Sequence, residues 1–247
     1  MIKLELPEKP IQLTEEIERE LIEQFKINSK AVWNKDYIKE PLSMMSSNKC
    51  AYSEQKLGER SAYMWIDHFK HKDKYKDSVV EWGNLLPSCQ KCNTTKNDWD
   101  VIIDPIVNPL TDNPSDYLYI KGFRFHAKNE KGKNTIEAVA LNDRVHFVTP
   151  RADSAFIIID QLSDQFKLLQ EVDTERKRNN AINRIKSTLE QCGPRHEFSA
   201  AISTYILYED SLYQEIKSYL ISIEKWDDQF QQIEAELTRI SLPPFDK

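Results

Sequence analysis

Tyr63-Met64-Trp65-Ile66-Asp67-His68-Phe69-Lys70, followed after a basic loop by Trp82-Gly83-Asn84-Leu85-Leu86-Pro87-Ser88-Cys89-Gln90-Lys91-Cys92-Asn93-Thr94-Thr95-Lys96-Asn97, is the stretch on which the fold turns. The apolar and aromatic residues 63–66 predict a strand that delivers Asp67 and His68. Adjacent strand residues face opposite sides, so these two are not copies of one role. Asn84 precedes Leu85-Leu86, the C-x-x-C of Cys89 and Cys92 follows, and Asn93 comes next at the start of a predicted helix. Singly, each feature is ordinary. An isolated Asp-His pair is more often a surface or capping feature, and an asparagine before two leucines is a common turn start. Their joint order carries the argument.

Phosphodiester hydrolysis needs a base to deprotonate water, a Lewis acid to neutralise charge developing on the phosphate, and a rigid frame for both. The order histidine, asparagine, thiol pair, asparagine resembles the HNH endonuclease motif. The resemblance implies that Asp67 binds a divalent metal, that His68 activates water, that Asn84 bonds loop backbone and orients the histidine, and that Asn93 completes the metal site from the helix. Orientation matters because a misplaced base is a poor base. Asn97, one helical turn beyond Asn93, is an additional candidate ligand. Such a shell of oxygens favours Mg²⁺ or Mn²⁺. Lys96 is a candidate phosphate contact, as are Lys70 and Lys72 in the basic run 68–76, which holds four lysines to one aspartate. A solvated loop is the ordinary reading of such a run.

Beyond that motif, Cys50-x-Tyr52-x-Glu54, Ile66 to Lys70, Tyr75, Trp82 to Lys96, Asp104-Pro105, Asn108-Pro109 and Leu141-Asn142-x-Arg144 resemble one branch of the superfamily. That branch includes the nuclease subunit of Septu antiphage systems, also found beside retron reverse transcriptases, and the match covers 46–148. It implies an effector endonuclease acting on DNA or tRNA, working with an SMC/ABC-like ATPase and, in the retron-linked case, with a reverse transcriptase and its RNA-DNA product. The alternative is a catalytically silent HNH-fold scaffold or nucleic-acid-binding subunit of an ATPase complex. The joint presence of Asp67, His68, Asn84 and Asn93 argues against it. A stand-alone homing or restriction enzyme predicts a basic recognition module, which the sequence does not contain.

Many HNH relatives carry two C-x-x-C pairs around a structural zinc. Here the first pair reads Cys50-Ala51-Tyr52-Ser53, and a hydroxyl replaces the second thiolate. Three outcomes are open: a Zn²⁺ held by Cys50, Cys89, Cys92 and water or a histidine, a weakened site, or packing without metal. The first is favoured, with His71 as a weak candidate for the fourth position and Cys192 read as a buried structural thiol. Trp65, Trp82 and Trp99 are read as core residues, and His126 and His146 as structural.

The remaining chain predicts an α+β protein. Residues 1–45 form an N-terminal helical segment with a helix over 14–35, capped by Thr14, that packs on the central module. Residues 46–105 form a ββα-metal module. Residues 106–150 form a β-hairpin extension, with strands at 117–126 and 135–141 around a polar loop at 129–134 and β structure ending near Val148. Residues 151–247 form an all-α layer of four helices, with breaks at 172–173, 192–194 and 223–226. The five glycines never cluster, which excludes a P-loop or a dinucleotide fingerprint.

The bulk numbers fit this reading. A chain of 247 residues with 40% apolar composition can bury one substantial core or two modest ones. Its net charge of −6 argues against a protein that grips nucleic acid over its whole surface. Residues 49–100 hold nine Lys/Arg against eight Asp/Glu, so the acidity lies elsewhere. Four unevenly spaced cysteines make no disulfide framework. Without a signal-like start or an apolar run of ~18 residues, the expectation is a cytoplasmic protein with no membrane partner.

Overall fold

Thr14 starts the first helix by accepting a hydrogen bond from the Ile17 amide at 3.3 Å, and three acidic residues favour its N-terminal turn. The computed structural model, which describes residues 1–58 and 63–244, ends this helix, α1 (Glu15–Asn28), well short of the expected 35. Ser29 turns left-handed at φ 53° and its amide closes on Phe25 O, while the Lys30 amide is taken by the Asn28 side chain at 2.9 Å. A second helix, α2 (Asp36–Met45), follows. The loop between them carries Val32 and Trp33.

Strand β1 (Trp65–His68) pairs antiparallel with β2 (Leu85–Ser88), with Asp67 opposite Leu86 and His68 opposite Leu85. Helix α3 (Gln90–Lys96) starts at once after β2. Leu21, Phe25, Val32, Ile38 and Leu42 from the N-terminal region close one core with Ile66, Val79, Val80, Trp82 and Leu85. Each such side chain contributes about 1.5–3 kcal/mol of burial, so the N-terminal helices are integral to the frame of β1 and β2.

Past residue 110 the expected hairpin is corrected. Strands β3 (Leu118–Lys121) and β4 (Arg124–Ala127) form a small sheet of their own. Gly122 and Phe123, both at positive φ (55° and 62°), make the tight turn between them. Thr135–Leu141 is not a strand. Asn129 caps helix α4 (Glu130–Ala138) by accepting from the Gly132 amide at 3.1 Å, and a Cβ on Gly132 would lie 2.1 Å from Tyr117 O. The stretch read as a polar loop is therefore a capped helix start, and β structure ends at Ala127 rather than Val148.

Among the described residues, the C-terminal region contains a π-helical turn at Arg144–Val148 and five helices instead of four: α5 (Thr149–Glu171), α6 (Glu175–Glu190), α7 (Ser199–Tyr208), α8 (Leu212–Ser222) and α9 (Asp228–Ile240). The extra break, after Tyr208, has no glycine or proline. Asp210 makes it, its carboxylate accepting the Leu212 amide at 2.8 Å.

The architecture is α+β. Met1–Leu118 with His126–Leu141 form one compact unit, and Tyr119–Phe125 with the described part of Asn142–Lys247 form another. In the second unit Arg151 is 1% exposed, its guanidinium 4.7 Å from the Phe125 ring and donating to Phe123 O at 3.3 Å. Among the described residues no helix is long and apolar enough to cross a membrane.

Candidate functional site

The end of β1 places His68 over the loop that returns to β2. Its Nε2 lies 2.9 Å from Val79 O. A carbonyl only accepts, so Nε2 carries the proton and Nδ1 keeps the lone pair. The Trp33 ring meets the imidazole edge-on, centroids 4.3 Å apart at 80°. His68 is 5% exposed. Burial pushes its pKa down to about 4, with Lys72 and Lys96 acting in the same sense and Val79 O opposing. The ring is neutral at pH 7 and has the form of a base.

Asn84 braces the same loop. Its Oδ1 accepts the Lys70 amide at 2.7 Å, and its Nδ2 donates to Ser78 O at 2.8 Å and Lys70 O at 3.3 Å. Fixing Ser78 fixes the next carbonyl, Val79, which holds the histidine. At 2% exposure the amide is fully used within the protein.

Asp67 has a different environment from the one the sequence implied. Its Oδ2 accepts the Tyr52 hydroxyl at 2.6 Å, and Lys96 Nζ lies 3.2 Å from Oδ1 and 3.1 Å from Oδ2. Lys96 also donates to His68 O at 2.7 Å, so it ties α3 to β1. With 1% exposure it does not reach solvent, which corrects its assignment as a phosphate contact: it is the internal counter-ion of Asp67. Burial raises the Asp67 pKa, and Lys96 and Tyr52 work against that rise. Burial and the neighbouring carboxylate push the Tyr52 hydroxyl up, keeping it a donor.

Asp67, His68, Asn93 and Asn97 line one cavity of about 710 Å³. Asn93 projects half-buried from α3, and exposed Asn97 bonds Asp98 at 3.0 Å. Lys72 lines the cavity too, 3.6 Å from Asp73. Lys70 is not among the lining residues and pairs with Glu81 at 3.3 Å. One carboxylate and two amide oxygens are hard donors of the kind a divalent ion takes, but Tyr52 and Lys96 already hold the carboxylate. The carboxylate would share its charge with Lys96.

Behind this cavity three thiols converge. The sulfurs of Cys50, Cys89 and Cys92 all lie within 4.8 Å of one another, near the ~3.8 Å edge of a tetrahedron built on zinc-sulfur bonds. The Ser53 hydroxyl lies 3.7 Å from Cys89 Sγ, and the Ser53 amide 3.5 Å from Cys50 Sγ. The missing fourth thiolate is thus replaced in place by a buried hydroxyl. Burial alone would raise the Cys50 pKa, but hydrogen bonds from Cys89, Cys92 and Ser53 outweigh it and lower it, while Cys89, facing Cys50, is pushed up to about 12. Three converging buried sulfurs are donors of the kind a soft cation takes. His71 and Cys192 stand outside the cluster. His71 lines the cavity, and Cys192 is a buried thiol taken up to about 12 by desolvation.

Trp33 and the Val79 carbonyl are not legible in the sequence, whereas Tyr52 stands in the Cys50-x-Tyr52-x-Glu54 pattern without its role as a donor to Asp67 being visible there. Of the tryptophans expected in the core, Trp82 is 6% exposed and Trp99 half-buried, but Trp65 is 44% exposed and lines the cavity. Core packing is therefore corrected for Trp65.

Two antiparallel strands running into a short helix, with a buried histidine at the strand end and two thiols at the helix start meeting a third from the Cys50 turn, define an α+β protein built on a ββα unit with a cysteine cluster. No family model matches the sequence. Comparison with known proteins gives 35% identity over 247 aligned positions, covering 97% of this chain and 94% of the relative, to the Septu protein PtuB of Bacillus thuringiensis. A second Septu protein PtuB, from Bacillus mycoides (strain KBAB4), is 28% identical over 140 aligned positions, covering 43% of this chain and 47% of the relative. The chain belongs to the Septu PtuB family.

Proposed function

We propose that this chain is a metal-dependent HNH endonuclease, the effector nuclease of a Septu-type antiphage defence complex acting on DNA or tRNA. The observation that carries this reading is the placement of His68: its Nε2 is fixed on Val79 O, its Nδ1 lone pair is free of that bond, and it lines a cavity shared with Asp67 and Asn93. A base so held takes a proton from water at a defined atom. Asn84 keeps the loop that orients it, and Lys96 keeps β1 against α3. Asp67 and Asn93, with Asn97, would hold Mg²⁺ or Mn²⁺, which when bound neutralises charge developing on the phosphate. Cys50, Cys89 and Cys92 with Ser53 would hold a structural Zn²⁺.

The partner side of the proposal is an SMC/ABC-like ATPase and, in a retron-linked setting, a reverse transcriptase with its RNA-DNA product. Acidity outside the module suits an enzyme whose affinity for nucleic acid comes largely from such a partner. One observation favours the silent-scaffold reading: the Asp67 carboxylate is already neutralised by Lys96. Cleavage of plasmid DNA and of total tRNA decides between them, in Mg²⁺ or Mn²⁺, by the chain and its His68→Ala variant, alone and with the neighbouring ATPase. His68-dependent cleavage supports the nuclease. Its absence with the partner present leaves the scaffold.

A further inference from the structure

Tyr63 and Trp65 line the cavity that holds His68, yet they are 78% and 44% exposed. They stand two residues apart on the approach to β1, the spacing that puts side chains on one face of an extended chain. Large aromatic rings left in water beside a recessed base have no core to fill. Among the described residues, the lysines lining the same cavity are Lys39 and Lys72, with His71 beside them, on a chain of net charge −6. That is sparse for a surface that follows a duplex, where sequence-independent affinity comes from neutralising many phosphates. At 5% exposure, His68 also meets only a phosphate that enters the cavity. A stiff base-paired rod does so less readily than a strand whose backbone bends and whose bases splay. Stacking on aromatic side chains with a few cations along the backbone is how unpaired strands are held without sequence preference.

We infer that the site takes an unpaired nucleic acid strand, with Tyr63 and Trp65 as the platform on which bases flanking the scissile phosphate stack and Lys39 and Lys72 as backbone contacts. The inference rests on the nuclease reading above and names its substrate class. Tyr63 and Trp65 are the specificity-determining residues, because a base inside a duplex has no free face to offer them.

The test is fluorescence anisotropy with the full-length His68→Ala protein and a labelled mixed-sequence strand of ~12 nucleotides. Strands of DNA and of RNA are each compared with the same strand annealed to its complement. The unpaired strand should bind at least ~10-fold tighter than the duplex, and the better of the two sugars identifies the natural strand. Tyr63→Ala and Trp65→Ala should each weaken that binding roughly 5- to 100-fold, and Trp65→Phe should retain most of it. Tyr63 is so exposed that its alanine variant remains informative even if Trp65→Ala fails to fold. Equal or tighter duplex binding, an unchanged affinity in Tyr63→Ala, or no binding of either form at ~100 µM, the weak end of non-specific affinity, overturns the inference. Strand-selective binding without His68-dependent cleavage by the parent chain would sink the nuclease reading alone. Cleavage of duplex that is indifferent to Tyr63 and Trp65 would sink this one alone.

Discussion

Replacing Lys96 with methionine tests whether the ion pair at the centre of the site is structural. The Lys96 side chain is 0% exposed and that of Asp67 4%, and the ammonium serves both carboxylate oxygens and His68 O. Methionine fills much the same volume but leaves a buried carboxylate facing one hydroxyl, that of Tyr52. Breaking a buried pair from one side costs about 3–5 kcal/mol, a large share of the ~5–15 kcal/mol that holds a typical domain folded. The exposed pair Lys70–Glu81, with side chains 35% and 50% accessible, is the internal control: Lys70→Met should cost at most ~1 kcal/mol. Urea unfolding followed by tryptophan fluorescence suits the question, because Trp33, Trp65, Trp82 and Trp99 lie in the unit that carries the site and Trp226 in the other. Adding Asp67→Asn to Lys96→Met should recover much of the loss, since the orphaned charge is what hurts. If Lys96→Met costs no more than Lys70→Met, or the double variant is as unstable as the sum of the singles, Lys96 is not the counter-ion the geometry makes it.

Four further outcomes follow from other parts of the molecule. Asn84→Ala removes the brace on Ser78 and Lys70 and should lower kcat about 100-fold with KM little changed; an unchanged kcat would mean Val79 holds His68 unaided. Metal analysis should find about one zinc per chain, with Ser53→Cys slowing its loss to a chelator and Cys89→Ala lowering the unfolding midpoint; zinc-free protein of unchanged stability would refute the cluster as a metal site. Gly132→Ala sets a helix-propensity gain of ~1 kcal/mol against a Cβ 2.1 Å from Tyr117 O; overpacking of about 1–3 kcal/mol should win, and a higher urea midpoint would show that α4 moves freely. Asp100, held at about 2 by its hydrogen bond from Lys74, also receives the Tyr75 hydroxyl at 2.8 Å. Because its folded pKa is depressed, the tether it provides is complete above the ordinary aspartate pKa of ~3.9 and is lost as pH falls from there towards 2. Amide protection across 70–76 should therefore persist at pH 5 and fade in acid, and Asp100→Asn should show the faded level at both.

What the sequence revealed of the site was its local chemistry. Asp67-His68, Asn84 and the Cys89-x-x-Cys92 pair announce themselves because their spacing is set by one strand, one loop and one helix turn. The pairing of Lys96 with Asp67 across α3 and β1 depends on tertiary register, and no pattern in Thr94-Thr95-Lys96 distinguishes an internal strut from a surface lysine. The same limit explains the extension. Thr135-Ile136-Glu137-Ala138-Val139 alternates like a strand, but the cap at Asn129 and the close approach of Gly132 to Tyr117 decide for helix. Within the C-terminal helices, breaks marked by Gly193-Pro194 were legible, whereas the turn made by one aspartate side chain at Asp210 was not. Ser53 is the instructive intermediate case: its departure from the C-x-x-C pattern was plain, but only the fold shows the hydroxyl occupying the corner that the thiolate left.

The indole of Trp33 also sets a limit on how this chemistry can be moved. It sits in a loop between two helices, remote in sequence from every recognisable motif, yet it covers one edge of the imidazole. A graft of 46–105 into another scaffold would carry every signature residue and leave that cover behind. The transplanted histidine would keep its hold on Val79 O, but it would meet water on the edge that Trp33 covers, and its pKa would climb back towards the ordinary range. The portable cassette therefore begins before Trp33, and a search for it by motif alone finds the reagents but not their container.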